Sequence, residues 1–149
     1  MEIREEDCGW RLRFRDGVVQ LIQVDFRLTL FLGDGADTAK LVVETPFRLI
    51  ALENDVVCSP EKPASLAPIL PLVNARITGV LAQKSGWLRV EFDSGRSLEV
   101  APNESYEAWQ LGSSIGFLLV CSPGGGVSFF KEDRKGMSTG QKASNAGSK

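Results

Sequence analysis

The sequence predicts an all-β fold, a single-domain sandwich or barrel of two pseudo-repeats, on three observations. Apolar and polar residues alternate at period two along much of the chain, as in strands with one face in a core. Clusters of Gly, Asp, Asn, Ser and Pro interrupt that alternation at intervals of about ten residues, which is the rhythm of short antiparallel strands. The tetrapeptide Val57-Cys58-Ser59-Pro60 also returns as Val120-Cys121-Ser122-Pro123.

Trp10, Leu12 and Phe14 alternate with Arg11, Arg13 and Arg15, so the first strand has one apolar and one cationic face. Asp16-Gly17 supplies turn chemistry. Val18 to Leu32 continues the alternation through Val24, Phe26, Leu28, Leu30 and Leu32, either as one long bent strand or as two broken near Gln23-Val24-Asp25. The Gly33-Asp34-Gly35 turn then leads into Leu41-Val42-Val43, and Thr45-Pro46 separates that run from Phe47 to Leu52.

Four prolines between Ser59 and Pro71 mark a connector. Within it, Ser65 to Leu70 predicts at most one short helix with Ser65 as N-cap. Arg76 to Gln83, Trp87 to Phe92, Arg96 to Ala101, Ser105 to Leu111, Ile115 to Cys121 and Val127 to Phe130 follow as strands. Leu30 to Leu32, Lys40 to Glu44 and Phe47 to Leu52 then match Leu88 to Phe92, Ser97 to Ala101 and Tyr106 to Leu111, giving repeat halves of about 10–60 and 72–126. The β domain spans 1–130. Residues 131–149, poor in aromatic and β-branched side chains, predict a disordered tail.

At 149 residues and 43% apolar content the chain is long enough for one real core. Without residues 131–149 it carries 12 basic and 17 acidic side chains, net −5. That balance argues against nucleic acid as a partner, since phosphate neutralisation needs clustered Lys and Arg. No apolar run is long enough for a membrane span, and the acidic start is unlike a signal peptide, so a cytoplasmic protein is expected. Cys8, Cys58 and Cys121 have no metal-ligand spacing. Cys58 and Cys121 hold equivalent repeat positions and would meet only if both lay near a two-fold axis.

Histidine is absent, which removes the commonest general base and every Ser-His-Asp or Cys-His pair. Asp34, Asp37, Asp93, Glu104 and Glu107 are placed as solvated turn or strand carboxylates, with no spacing that separates an acid from a base. No catalytic residue, no metal ligand and no cofactor is therefore assigned. Gly124, Gly125 and Gly126 would offer backbone N–H groups to an anion, but no helix or Lys-Ser follows them, and a hairpin turn explains them better. The Arg11, Arg13, Arg15 line fits acidic cross-strand neighbours, or protection of an edge strand, better than nucleic acid. Tyr106-Glu107-Ala108-Trp109 is the densest cluster of rings and charge. On a strand it would turn Tyr106 and Ala108 one way and Glu107 and Trp109 the other. The candidate binding residues are thus Tyr106, Glu107, Trp109 and Gly124 to Gly126.

Phe92-Asp93-Ser94-Gly95, Leu98 to Pro102, Tyr106 to Trp109 and Cys121-Ser122-Pro123-Gly124-Gly125-Gly126 resemble a family of small bacterial domains of unknown function, frequent in actinobacteria. The likeness covers roughly Trp10 to Phe130. Some domains of this kind serve as immunity proteins beside secreted toxins, so the resemblance implies a non-enzymatic module that binds another protein, in its most specific form a basic toxin. The alternatives are a small-ligand binder or weak enzyme with a pocket between the halves, and an assembly role through a free sheet edge; the oligomeric state stays open.

Overall fold

The computed structural model describes residues 1–132. It contains strands β1 (Glu2–Glu6), β2 (Gly9–Val24), β3 (Leu28–Asp34), β4 (Asp37–Val43), β5 (Phe47–Ile50) and β6 (Asp55–Cys58), then a 3-10 helix (Pro63–Leu72). Strands β7 (Arg76–Gln83), β8 (Leu88–Phe92), β9 (Ser97–Val100), β10 (Trp109–Ser113), β11 (Phe117–Cys121) and β12 (Val127–Lys131) complete it. The all-β single domain is as the alternation predicts. Lys131 ends β12 rather than opening a tail, and the expected disorder of the tail falls, from residue 133, outside the described residues.

All twelve strands belong to one antiparallel sheet in the order β12-β11-β10-β4-β3-β2-β7-β8-β9-β5-β6, with β1 beside β2. The two ends, β12 and β6, do not pair, so the sheet is not closed into a barrel. Setting β1 and β12 aside, the order reads equivalently from either end about the β2–β7 pair. The meander β2-β3-β4 continues into the hairpin β10-β11, and the meander β7-β8-β9 into the hairpin β5-β6. Proline explains the exchange of hairpins: Pro46 follows β4 and Pro102 follows β9, and a residue without an N–H sends the chain out of the ladder it has just made.

The buried residues of both wings form one cluster, among them Leu30, Leu41, Leu111 and Leu119 from one wing and Val80, Val90 and Leu98 from the other. Each such side chain contributes about 1.5–3 kcal/mol on burial. Trp10 of β2 stacks on Phe129 of β12 with ring centroids 5.8 Å apart, although four strands lie between β12 and β2 in the sheet order.

Several local expectations are corrected. Asp16-Gly17 makes no turn: β2 runs straight through it with a register shift between Arg13 and Gly17. At that irregularity the N–H groups of Arg15 and Asp16 donate to the carboxylate of Asp34, at 3.0 and 2.8 Å, so the missing ladder bonds are replaced. The real break in the Val18 to Leu32 run falls at Asp25-Phe26-Arg27. Ser65 does not cap the helix. It lies inside it, where its hydroxyl accepts the Ser59 N–H at 2.8 Å and lies 2.7 Å from the Lys62 carbonyl it donates to. Residues 105–108 are not strand, because the side-chain oxygen of Asn103 takes the N–H groups of Ser105 and Tyr106 at 2.8 and 3.1 Å and so folds a turn in place of a ladder. Strands β1 and β6, too polar or too short to stand out by pattern, were not expected.

Candidate functional site

Once the Asn103 turn replaces a strand, the Tyr106 to Trp109 cluster no longer alternates between faces. Tyr106 is 62% exposed and Glu107 is exposed, whereas Ala108 and Trp109 are fully buried. Trp109 opens β10 and donates its indole N–H to the carbonyl of Gly86 at 2.8 Å. It is a core side chain that ties the 101–108 loop to the β7–β8 turn, and it offers nothing to a partner's surface. Glu107 accepts a hydrogen bond from the Gln110 amide at 3.0 Å.

The glycine run forms the β11–β12 turn. The Gly125 N–H donates to the Ser122 carbonyl at 3.0 Å, with Pro123 and Gly124 (φ +88°) at the two central positions, which is the chemistry of a type II turn. The Gly124 N–H donates to the Asn103 carbonyl at 2.8 Å. Two of the N–H groups considered for an anion are therefore spent inside the fold, and Gly125 is buried against Gly86 and Pro102. Asn103 is the pivot of the region: its side chain shapes the turn that presents Tyr106, and its main chain fastens that turn to the glycines.

Tyr106 and Glu107 line a cleft of about 680 Å³. Glu44, just past β4, enters from beside them, its N–H donating to the Ala108 carbonyl at 3.0 Å. The two copies of the Val-Cys-Ser-Pro tetrapeptide supply the next walls. In each the Ser carbonyl accepts the N–H three residues on, from Lys62 in the first and Gly125 in the second. The first turn contributes Glu61 and the second Pro123. The last wall is Phe26, at the tip of the β2–β3 turn.

Sequence reasoning missed Phe26, because its place in the alternation Val24, Phe26, Leu28 reads as core. In the structure it is 73% exposed and holds a left-handed backbone, φ +65°. A bulky side chain in that region costs about 1–2 kcal/mol, and here almost no burial offsets it. Beside it Arg27 is bound by the carboxylate of Asp25 at 2.9 Å. That hydrogen bond and its charge raise the Arg27 guanidinium above its ordinary pKa, with Glu44 adding to the effect, and hold Asp25 below the usual carboxylate range. The cleft thus carries two exposed rings and three carboxylates, and no cation lines it. Among the described residues no set of three metal-ligating side chains is close enough to hold one ion, so Glu44, Glu61 and Glu107 are splayed around the hollow rather than gathered at a point.

A second hollow, of about 640 Å³, is lined by Arg13, Arg15, Asp34 and Asp37 among others. Its buried carboxylate is already occupied: Asp34 takes two backbone N–H groups and the Met1 amino group at 2.8 Å. Arg11, from the cationic line, lies 3.5 Å from both Glu6 and Glu91, the acidic neighbours expected of it. Cys58 and Cys121 are buried free thiols, each pushed up in pKa first of all by burial.

Among the described residues no helix is long and apolar enough to cross a membrane. Comparison with curated proteins and with solved structures gave no match. A family of unknown function (DUF6188) matches residues 10–131, from the first strand of the cationic line to the end of β12. A match over that much of the chain makes the protein a member of this family.

Proposed function

We propose that the chain is a non-enzymatic protein-interaction module, built from two pseudo-repeats, whose contact surface is the cleft between Phe26 and Tyr106. The observation that carries this reading is Phe26, a ring kept both exposed and strained at a turn where Gly or Asn would fit without that strain. Strain without a packing return is characteristic of functional positions, and exposed aromatic rings are typical of interface hot spots. The mirrored strand order supports the pseudo-repeat description. The most specific form of the role is immunity-type, the neutralisation of a toxin. An acidic body of net −5 speeds encounter with a basic partner and disfavours acidic ones. Three free thiols fit a reducing compartment such as the cytoplasm.

A small-ligand site or weak enzyme in the same cleft is the second reading. The volume is suitable, but ligand pockets are mainly apolar with a few polar groups, and this one is ringed by carboxylates. The Cys121 thiol is buried, and that burial first, with Glu107 adding to it, pushes its pKa up.

A photo-crosslinking residue placed at position 106 tests the proposal, with position 52, the 91%-exposed Leu of the β5–β6 turn, as control. Cross-linking in the native cell should yield a discrete protein adduct from position 106 and none from 52. Equal, diffuse labelling from both positions would count against the cleft.

A further inference from the structure

We infer that the cleft receives a lysine or arginine side chain of its partner. This rests on the interaction role proposed above and adds the chemistry of what is bound. Three carboxylates reach the hollow from separate segments, Glu44 after β4, Glu61 from the first Ser-Pro turn and Glu107 from the long loop before β10. No cation lines it, and the adjacent guanidinium of Arg27 is bound to Asp25. An apolar segment laid there would strip water from three carboxylates, of which Glu107 is bonded only to the neutral Gln110 amide, and that is unfavourable. A cation would be paired. A metal ion is too small for groups spread in this way, as no three of them can ligate it together. A guanidinium or ammonium at the end of a flexible stem reaches several carboxylates, while its stem and charge suit aromatic faces. Phe26 and Tyr106 supply those faces, both more than half exposed and both lining the cleft. Pro123 closes the wall with an apolar, donor-free surface for the stem.

The test uses blocked peptides in which two arginines are spaced by Gly-Ser, with a matched peptide carrying citrulline in place of arginine, titrated into the intact protein. The arginine peptide should move the ring resonances of Phe26 and Tyr106, and its affinity should fall as salt rises. The Glu44→Gln/Glu107→Gln double variant, which neutralises one partly exposed and one exposed side chain, should weaken it about three- to tenfold. Equal binding of the citrulline peptide, or ring resonances that stay still, overturns the cation inference. In that event the cross-link from position 106 decides separately. If it persists, the interaction reading stands with a different ligand chemistry; if it too is missing, both fall.

Discussion

Replacing Phe26 with Gly separates a ring kept for contact from a ring kept for packing. A buried Phe truncated to a small residue costs about 3–5 kcal/mol. Phe26 is 73% exposed, so the quarter of its surface that is buried accounts for only about 0.6 kcal/mol. Against this stands relief of the left-handed strain at φ +65°, about 1–2 kcal/mol. Glycine then adds back about 0.5–1 kcal/mol through the greater freedom of the unfolded chain. The terms nearly cancel, leaving a net change between a loss of about 0.6 and a gain of about 1 kcal/mol. In a domain of this size that moves the thermal midpoint by no more than about 4 °C. Chemical denaturation followed by circular dichroism measures it, with the slope checked for constancy so that the midpoint reports stability alone. Partner capture through position 106 should meanwhile drop by an order of magnitude, as for an aromatic hot spot. A stability loss above about 2 kcal/mol would refute the reasoning, because the ring would then be a structural prop like those of the core.

Three further outcomes follow from the same geometry. Trp109→Ala removes a fully buried indole together with its bond to Gly86 and should cost about 3–5 kcal/mol by denaturant unfolding, so any loss of binding it causes will track unfolding. Gly86→Ala places a methyl 2.8 Å from the Gly125 carbonyl at φ +102°, and should destabilise by about 1–3 kcal/mol while leaving Tyr106 exposed in the folded fraction, as read by quenching of its fluorescence. Burial pushes the Asp34 carboxyl up, but the Met1 amino group and the N–H groups of Arg15 and Asp16 outweigh it and hold the carboxyl below the ordinary range. Its contribution is therefore complete above the unfolded-state value, about pH 4, and is lost as pH falls through the lower folded value; Asp34→Asn should flatten the acid limb of a stability–pH profile, and an unchanged limb would remove Asp34 as its cause.

The alternation in Arg76 to Gln83 or Leu88 to Phe92 was enough to place β7 and β8, since a period of two with one buried face admits no other regular structure. It failed where a side chain satisfies the backbone. Nothing in the composition around Asp34 announces that its carboxylate will carry β2 through Asp16-Gly17, because those residues lie 18 and 19 positions apart. Asn103 was the more legible case. An Asn two and three residues before Ser105 and Tyr106 is a turn signal in its own right, and it outweighs the apolar pattern that predicted a strand there. Tyr106 and Glu107 were found by their density of rings and charge. Phe26 was lost for the opposite reason: alternation assigns an apolar residue to the core without asking whether the chain turns on it.

The position of the cleft follows from the largest difference in length between mirrored links. Between β4 and β5 the link is three residues, Glu44 to Pro46, while its counterpart between β9 and β10 is eight, Ala101 to Ala108. Two equal short links would leave two equal, shallow corners beside the two Ser-Pro turns. The longer link instead supplies the Asn103 turn, with Tyr106 and Glu107 at its exposed end, and the fastening of Asn103 to Gly124 lays it across the corner where Glu44 emerges. The Ser-Pro turns diverge at the same time: the second carries Gly124 at its third position and reaches positive φ, and the first carries Glu61 there, which lines the hollow. Two wings that are near-equivalent in strand order thereby frame one corner unlike the other, and the residues that make it differ are the ones that give it charge and rings. Shortening the 101–108 link to three residues should erase the cleft and its binding while the core strands on either side keep their pairing.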